Sequence, residues 1–179
     1  MQRIPMVLSV SALLAGAAVP LSAQAHDHSA HSPYAGMESR AIKALSPEEI
    51  AGLRAGEGLG MALAAELNGL PGPKHVLELA ESLSLTAEQT AGVQEIAAEM
   101  QAAAQELGGQ IIQAEEHLDR LFASGDAAEA DVSRMTQHIG AMRGQLRAVH
   151  LNAHLAVSRL LTAEQVAAYQ QQRGYAGSL

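Results

Sequence analysis

Residues 85–125, LTAEQTAGVQEIAAEMQAAAQELGGQIIQAEEHLDRLFASG, decide the fold of this chain. Ala, Leu, Gln and Glu dominate the stretch, and these residues favour helix. Thr86 is placed to cap the helix, and Gln89, three residues later, is placed to reach back and close a capping box. Gly125 is a stop signal. The stretch therefore predicts one helix from Thr86 to about Phe122, about 35 residues and roughly 50 Å long.

A second long helix follows the glycine turn. Asp126 with Glu129 predicts its start, and the helical pattern runs to about Leu160. A turn at Gly125 folds the two helices into an antiparallel hairpin. Residues equally distant from the turn then face each other, which sets Gly108 and Gly109 opposite residues 140–142. This pairing predicts a close crossing or bend of the two arms; surface glycines are the alternative.

Shorter helices flank the hairpin. Ser46 and Glu49 form another predicted capping box, which opens a helix to about Leu67 in which Gly52, Gly56 and Gly60 would lie on one face against another backbone. Two further short helices are predicted at 74–82 and 162–174. A bare hairpin cannot bury its apolar face, so the helix that begins at Ser46, the helix at 74–82 or a second subunit must cover it. The sequence predicts an all-α fold, a long antiparallel helical hairpin with shorter flanking helices.

The N-terminus has the pattern of an export signal. A short positive start and an apolar run end at Ala23-Gln24-Ala25, a small-x-small cleavage site, so residues 1–25 are predicted to be a secretory signal peptide cleaved near Ala25. A membrane anchor is the alternative, which the prolines and glycine in the run disfavour. Residues 26–44 are predicted to be a flexible arm containing histidines, and residues 45–179 the helical domain. These features predict a periplasmic protein.

Composition excludes several classes of function. The net charge of −8 argues against nucleic acid as a partner. The chain has no cysteine, so it has neither disulfides nor thiolate ligands. It also lacks the nucleophile-elbow, phosphate-loop and HExxH motifs that characterise common enzyme sites. We therefore expect a protein that is not an enzyme.

Two histidines in the second long helix suggest a metal site. His150 and His154 are four residues apart, so both rings lie on one face and can reach one ion. The hairpin register places Glu99, favoured over Glu95, opposite them, with Met100 or water completing the set. Nitrogen-rich sites of this kind suit Zn, Ni, Co or Cu(II). A solvated or core histidine pair is the alternative.

The predicted arm offers a second candidate site. After cleavage at Ala25 the chain would begin His26-Asp27-His28, with a free amine and a histidine at position three. Such an end can wrap Cu(II) or Ni(II) in a square plane. His26 and His31 add ligands. The alternative is a polar tail without a ligand.

Two pentads carry a family resemblance. Leu85-Thr86-Ala87-Glu88-Gln89 and Leu161-Thr162-Ala163-Glu164-Gln165 stand on either side of the hairpin, in a chain with an export signal. This arrangement resembles the LTxxQ family of periplasmic proteins, which includes Spy/CpxP-type chaperones, zinc-resistance-associated proteins and periplasmic heavy-metal sensors. The resemblance covers residues 46–175. It implies a small helical fold, often an intertwined homodimer with a concave face, and no catalysis.

The resemblance also bears on ligands and partners. The metal-sensing branch uses a histidine and a second ligand four residues on, which His150 and His154 match, plus an earlier carboxylate and an N-terminal histidine pair, for which His26, His28 and His31 are differently spaced candidates. We therefore expect a divalent heavy-metal-binding protein in metal sensing or resistance, with a membrane-bound regulator or efflux component as partner. The alternative is an ATP-independent holdase for unfolded client proteins, although the chaperone branch tends to be basic and this chain is acidic.

Overall fold

The computed structural model describes residues 32–175, and these contain helices and turns but no strand. A 3-10 turn at Met37–Ser39 precedes six α-helices: α1 (Pro47–Ala55), α2 (Leu63–Glu66), α3 (Pro73–Glu78), α4 (Ala87–Ser124), α5 (Glu129–Leu160) and α6 (Ala163–Gln172). The predicted all-α class and the long hairpin, α4 with α5, are confirmed.

Side-chain capping explains where three of these helices begin. The hydroxyl of Thr86 accepts from the amide of Gln89 at 3.1 Å, and the side-chain oxygen of Gln89 accepts from the amide of Thr86 at 3.0 Å. The predicted boxes at Ser46 and Thr162 are formed in the same way. Each box satisfies two backbone amides that the first helical turn leaves without partners. The predicted starts of α1, α4 and α6 are therefore confirmed.

The start predicted for α5 is wrong. The amide of Asp126 donates to the hydroxyl of Ser124 at 3.3 Å, which keeps Asp126 in the turn after Gly125. Ala128, in an extended conformation, is the N-cap residue and supplies no side-chain bond. Glu129 is thus the first residue of the helix rather than the third after a capping aspartate.

The first predicted helix is too long. It ends at Ala55 because Gly56 adopts a left-handed conformation with φ of 70°, and Gly60 does the same with φ of 77°. The amide of Glu57 returns to the carbonyl of Gly52 at 2.9 Å, which closes the helix end in the way that a glycine C-cap allows. Gly56 and Gly60 therefore do not share a helical face with Gly52, and α2 is a separate single turn.

A glycine lets α1 approach the hairpin. A methyl group added at Gly108 of α4 would collide with the backbone of Leu53 in α1, so the two backbones meet there. A methyl group added at Gly109 or at Gly140 would have no neighbour within 4 Å, and Gly140 is exposed. The close crossing is therefore between α4 and α1, and the predicted crossing of the hairpin arms at these glycines is wrong.

Two apolar clusters form the core along the hairpin. The first joins α1, α4 and α5 and also includes Ile42 and Leu45, from the chain before α1. The second joins α3, α4, α5 and α6 around the fully buried Tyr169. Along α5, Leu146 belongs to the first cluster and Val157 to the second, so the residues between them separate the two. The burial of Ile42 shows that the last residues of the predicted arm pack on the helices.

Two half-buried glutamines join the starts of α4 and α6. The side-chain nitrogen of Gln89 donates to the side-chain oxygen of Gln165 at 2.8 Å, and the side-chain nitrogen of Gln165 donates back to the side-chain oxygen of Gln89 at 3.0 Å. The same nitrogens donate to backbone carbonyls, Gln89 to Leu160 at 2.8 Å and Gln165 to Leu83 at 3.3 Å. Each glutamine therefore closes its own capping box and also ties two distant parts of the chain together.

Replacing either glutamine should destabilise the fold, because each change removes the bonds between the two side chains, leaves one backbone carbonyl without its donor and opens one capping box. We expect Gln89→Ala and Gln165→Ala each to lower the free energy of unfolding by about 1–3 kcal/mol. The double variant should lose less than the sum, by about 0.5 kcal/mol or more, since both changes break the same pair. Urea unfolding measures these values. Gln110→Ala, which removes an exposed bond to Glu106 within α4, is the control; strictly additive losses would contradict the pairing.

Candidate metal centre

The two histidines of α5 lie side by side in the interior. His150 is 3% exposed and His154 is 8% exposed, and their spacing on α5 puts both rings on one face. A methyl group added at Gly58 would touch the ring of His150 at 3.8 Å, and one added at Gly72 would meet the ring of His154 at 2.8 Å. The rings therefore face the loops around α2, which link α1 to α3.

The structure does not bring Glu99 to these histidines. Glu99 and Glu95 are both exposed on α4. Within residues 32–175, no three side chains of His, Cys, Asp or Glu are grouped closely enough to hold a metal ion as they stand. The predicted set of His150, His154 and Glu99 is thus not assembled. The other predicted ligands, His26, His28 and His31, lie outside the described residues.

The carboxylate beside the histidines belongs to Glu66 of α2. Its Oε2 atom lies 3.7 Å from Nδ1 of His154, and the side chain is 9% exposed. Sequence reasoning missed this residue because it paired α5 only with α4. The available signal was a lone glutamate in the apolar stretch MALAAELNGL, residues 61–70, since a buried carboxylate requires partners.

The other oxygen of Glu66 is engaged by the C-terminal part of the chain. Oε1 accepts from the hydroxyl of Tyr169 at 2.6 Å and from that of Tyr175 at 3.3 Å, and it lies 3.5 Å from Nε of Arg173. Burial, followed by the bond to Glu66, raises the pKa of Tyr169. The phenol therefore remains protonated and donates to the carboxylate throughout the physiological range.

A backbone carbonyl fixes the tautomer of His154. Nδ1 lies 2.8 Å from the carbonyl oxygen of Leu70, and since that oxygen can only accept, Nδ1 carries the proton. In the neutral ring, Nε2 then has a free lone pair. Histidine ligands of metals are commonly oriented in this way, with the second nitrogen bonded to a backbone carbonyl or a carboxylate.

Gly72 lets the backbone before α3 pack closely against that ring. A methyl group on Gly72 would lie 2.9 Å from Nε2 of His154 and 3.6 Å from Oε2 of Glu66. The backbone of Gly72 has φ −85° and ψ 147°, which any residue can adopt, so the turn itself does not require glycine. The absent side chain instead allows the backbone to lie directly against the imidazole, because a methyl group there would collide with the ring.

Two atoms near these histidines that could ligate a metal have no hydrogen-bond partner. Oε2 of Glu66 and Nε2 of His150 are both buried and unpaired in the described structure. Buried polar atoms without partners typically cost about 1–3 kcal/mol each. A cation-binding role would account for both, and the chemistry of the donors, two imidazoles and a carboxylate, suits a divalent transition metal. The residues present therefore fit a metal ion, although they do not form a complete site.

The family model described as LTXXQ motif family protein matches residues 73–173, which is 101 of the 179 residues. This chain belongs to the LTXXQ motif family. No curated protein and no solved structure matches it. The matched range holds both pentads, His150 and His154, whereas Glu66 and Gly72 precede it.

Membership sets the broad class of the protein. Proteins of this family are Spy/CpxP-like, periplasmic and generally not enzymes. None of the helices in residues 32–175 is both long enough and apolar enough to cross a membrane. Neither finding distinguishes a metal-binding protein from a chaperone, so that distinction depends on the site.

Acid should destabilise the metal-free protein through His150. Burial, and secondarily the charge of His154, lowers the pKa of His150 from its ordinary value of 6.5. The unfolded chain then takes up a proton at a higher pH than the folded chain, so the free energy of unfolding falls as the pH drops below about 6.5. Urea unfolding at several pH values, with a chelator present, measures this slope.

His150→Gln should flatten that pH dependence, because the titrating group is removed, whereas His138→Gln changes an exposed histidine of α5 and is the control. A slope that is the same in His150→Gln and in the unmodified protein would show that His150 does not cause it.

Proposed function

We propose that this chain is a periplasmic protein that binds a divalent transition metal in heavy-metal sensing or resistance. The observation that carries the proposal is the buried Oε2 atom of Glu66, which adjoins His154 and has no hydrogen-bond partner in the described structure. The unpaired Nε2 of His150 lies in the same buried region of α5. Zn, Ni, Co and Cu(II) are the ions that imidazole nitrogens favour.

The proposed ligands are His150, His154 and Glu66. Glu66 takes the place of Glu99, since it is the carboxylate that adjoins His154 and has a free oxygen. The ion would supply positive charge to a buried carboxylate and would join α2 to α5. His26, His28 and His31 remain proposed ligands of a capture arm at the exported N-terminus.

Sensing requires that the bound and free states differ in shape. A metal shifts a conformational equilibrium only by its difference in affinity for the two shapes. We propose that this change alters contact with a membrane-bound regulator or efflux component, and that the protein acts as a homodimer. We also propose that the signal peptide is cleaved near Ala25 during export.

Titration calorimetry of the exported protein with Zn, Ni and Cu(II) tests the site. We expect one buried site that is lost in the double variant His150→Ala/His154→Ala. Gly72→Ala should weaken binding by about tenfold or more because its methyl group would collide with the ring of His154 and displace it. Gly58→Ala is the matched control, since its methyl group makes only an ordinary contact with His150.

Three further variants separate the candidate ligands. Glu66→Gln should weaken binding and Glu99→Gln should not, because Glu99 is exposed on α4. A chain without residues 26–31 should keep the buried site and lose any separate copper or nickel site. If the double histidine variant binds as tightly as the unmodified protein, the proposed site is wrong.

A row of exposed leucines favours a second candidate function, an ATP-independent holdase. Leu59, Leu63 and Leu67 recur every four residues around α2 and are 45%, 55% and 57% exposed. Exposed apolar patches mark sites of protein interaction, and unfolding clients offer complementary apolar segments. The patch needs neither metal nor the histidines.

An aggregation assay with a thermally unfolding client distinguishes this candidate. If the patch binds clients, Leu63→Ser/Leu67→Ser should remove most of the suppression of light scattering, because apolar contact area is lost. Phe122→Ser is the matched control, since Phe122 is 60% exposed at the far tip of the hairpin. Suppression that persists in the leucine variant, or that requires the two histidines, would exclude the patch.

A further inference from the structure

One carboxylate serves two parts of the molecule. Oε2 of Glu66 faces His154 on α5, whereas Oε1 holds the end of the chain through Tyr169, Arg173 and Tyr175. The two groups of partners lie on different elements, and the carboxylate is buried between them. A change in the position of Glu66 therefore acts on both.

Use of Glu66 as a ligand requires it to move. No three ligand side chains in the described part of the chain are close enough to complete a site, so the carboxylate must approach the imidazoles. Tyr169 cannot follow, because its ring is fully buried in the second core cluster beside Val76, Val93 and Val157. The bond of 2.6 Å between Tyr169 and Glu66 is then lengthened or broken.

The two ends of α6 are held by different interactions. The capping box of Thr162 and the pairing of Gln165 with Gln89 fix its first turn. At the other end, Arg173 has Glu66 as its ion-pair partner within residues 32–175, and Nε of Arg173 makes no hydrogen bond there. The remaining bonds of the last turn are side-chain bonds nearer the surface, from Gln170 to Gly69 and from Ser82 to Gln172. The chain from Arg173 to Tyr175, at the end of α6, thus depends on Glu66, whereas Tyr169 is also held by its buried ring and the first turn does not use Glu66.

We propose that Glu66 couples occupancy of the histidine site to the docking of the C-terminal end of α6. When Glu66 ligates, Arg173 and Tyr175 lose their carboxylate partner and the backbone of residues 169–175 opens more readily, while the ring of Tyr169 stays buried in the core. This inference rests on the proposed metal-binding function. The C-terminal end of α6 is then the element whose loosening would signal metal occupancy to a partner protein.

Hydrogen–deuterium exchange, read by mass spectrometry, tests the coupling with Zn as the probe. Saturating Zn should speed amide exchange in residues 169–175 by about tenfold, because local opening becomes easier, and should leave residues 163–166 unchanged. Glu66→Gln should show fast exchange at 169–175 without Zn and no further response to Zn. Glu115→Gln is the matched control, since Glu115 is also buried and paired with an arginine, Arg143, at 2.9 Å.

A second variant keeps the test decisive if Glu66→Gln fails to fold. Arg173→Gln leaves Glu66 intact and removes only its partner on the C-terminal side. We expect faster exchange at 169–175 without Zn, and tighter binding of Zn, because Glu66 is then easier to recruit. Zn affinity that is unchanged or weaker in Arg173→Gln would contradict the coupling.

The inference and the proposed function fail in different ways. If Zn binds with one equivalent by calorimetry and exchange at 169–175 stays the same or slows, the coupling is overturned and the metal site stands. If no Zn binds to the unmodified protein, the proposed function itself is overturned.

Discussion

Two glutamine side chains hold the base of the hairpin together. Gln89 and Gln165 close the capping boxes of α4 and α6, bond to each other, and reach the carbonyls of Leu160 and Leu83. Each side chain has one oxygen and two N–H groups. The two oxygens accept from the first backbone amides of the two capping boxes, and the two nitrogens donate to the carbonyls of Leu160 and Leu83. The position of α6 follows from this pair, and with it the position of Tyr169 against Glu66.

The site occupies the gap between two apolar clusters. On α5, His150 and His154 lie between Leu146 of one cluster and Val157 of the other. The long helix fixes the rings, whereas the backbone around α2 and before α3 completes their surroundings. Buried polar groups cost free energy unless they are bonded. The two unpaired buried atoms, Oε2 of Glu66 and Nε2 of His150, are therefore a local weakness of the fold.

The sequence was most informative where a local rule specifies a local structure. The capping boxes predicted three helix starts because side chain and backbone partners lie three residues apart. Prediction failed at Gly56, since a glycine is compatible with both a helix interior and a helix end, and only its contacts decide. It also failed to select Glu66, which meets His154 across 88 positions of chain. No spacing rule covers that separation in sequence. The contact between Glu66 and His154 also follows a break in the helix at Gly56, whereas the sequence predicts one continuous helix to about Leu67.

The burial of Tyr169 against Glu66 has an optical consequence. The chain has no tryptophan and three tyrosines, and the hydroxyls of two of them, Tyr169 and Tyr175, bond to Oε1 of one carboxylate. Two of the three tyrosines that dominate the near-ultraviolet absorbance therefore have their hydroxyls bonded to Glu66. The molecule therefore carries its own ultraviolet-absorbing probe where α2 meets α6.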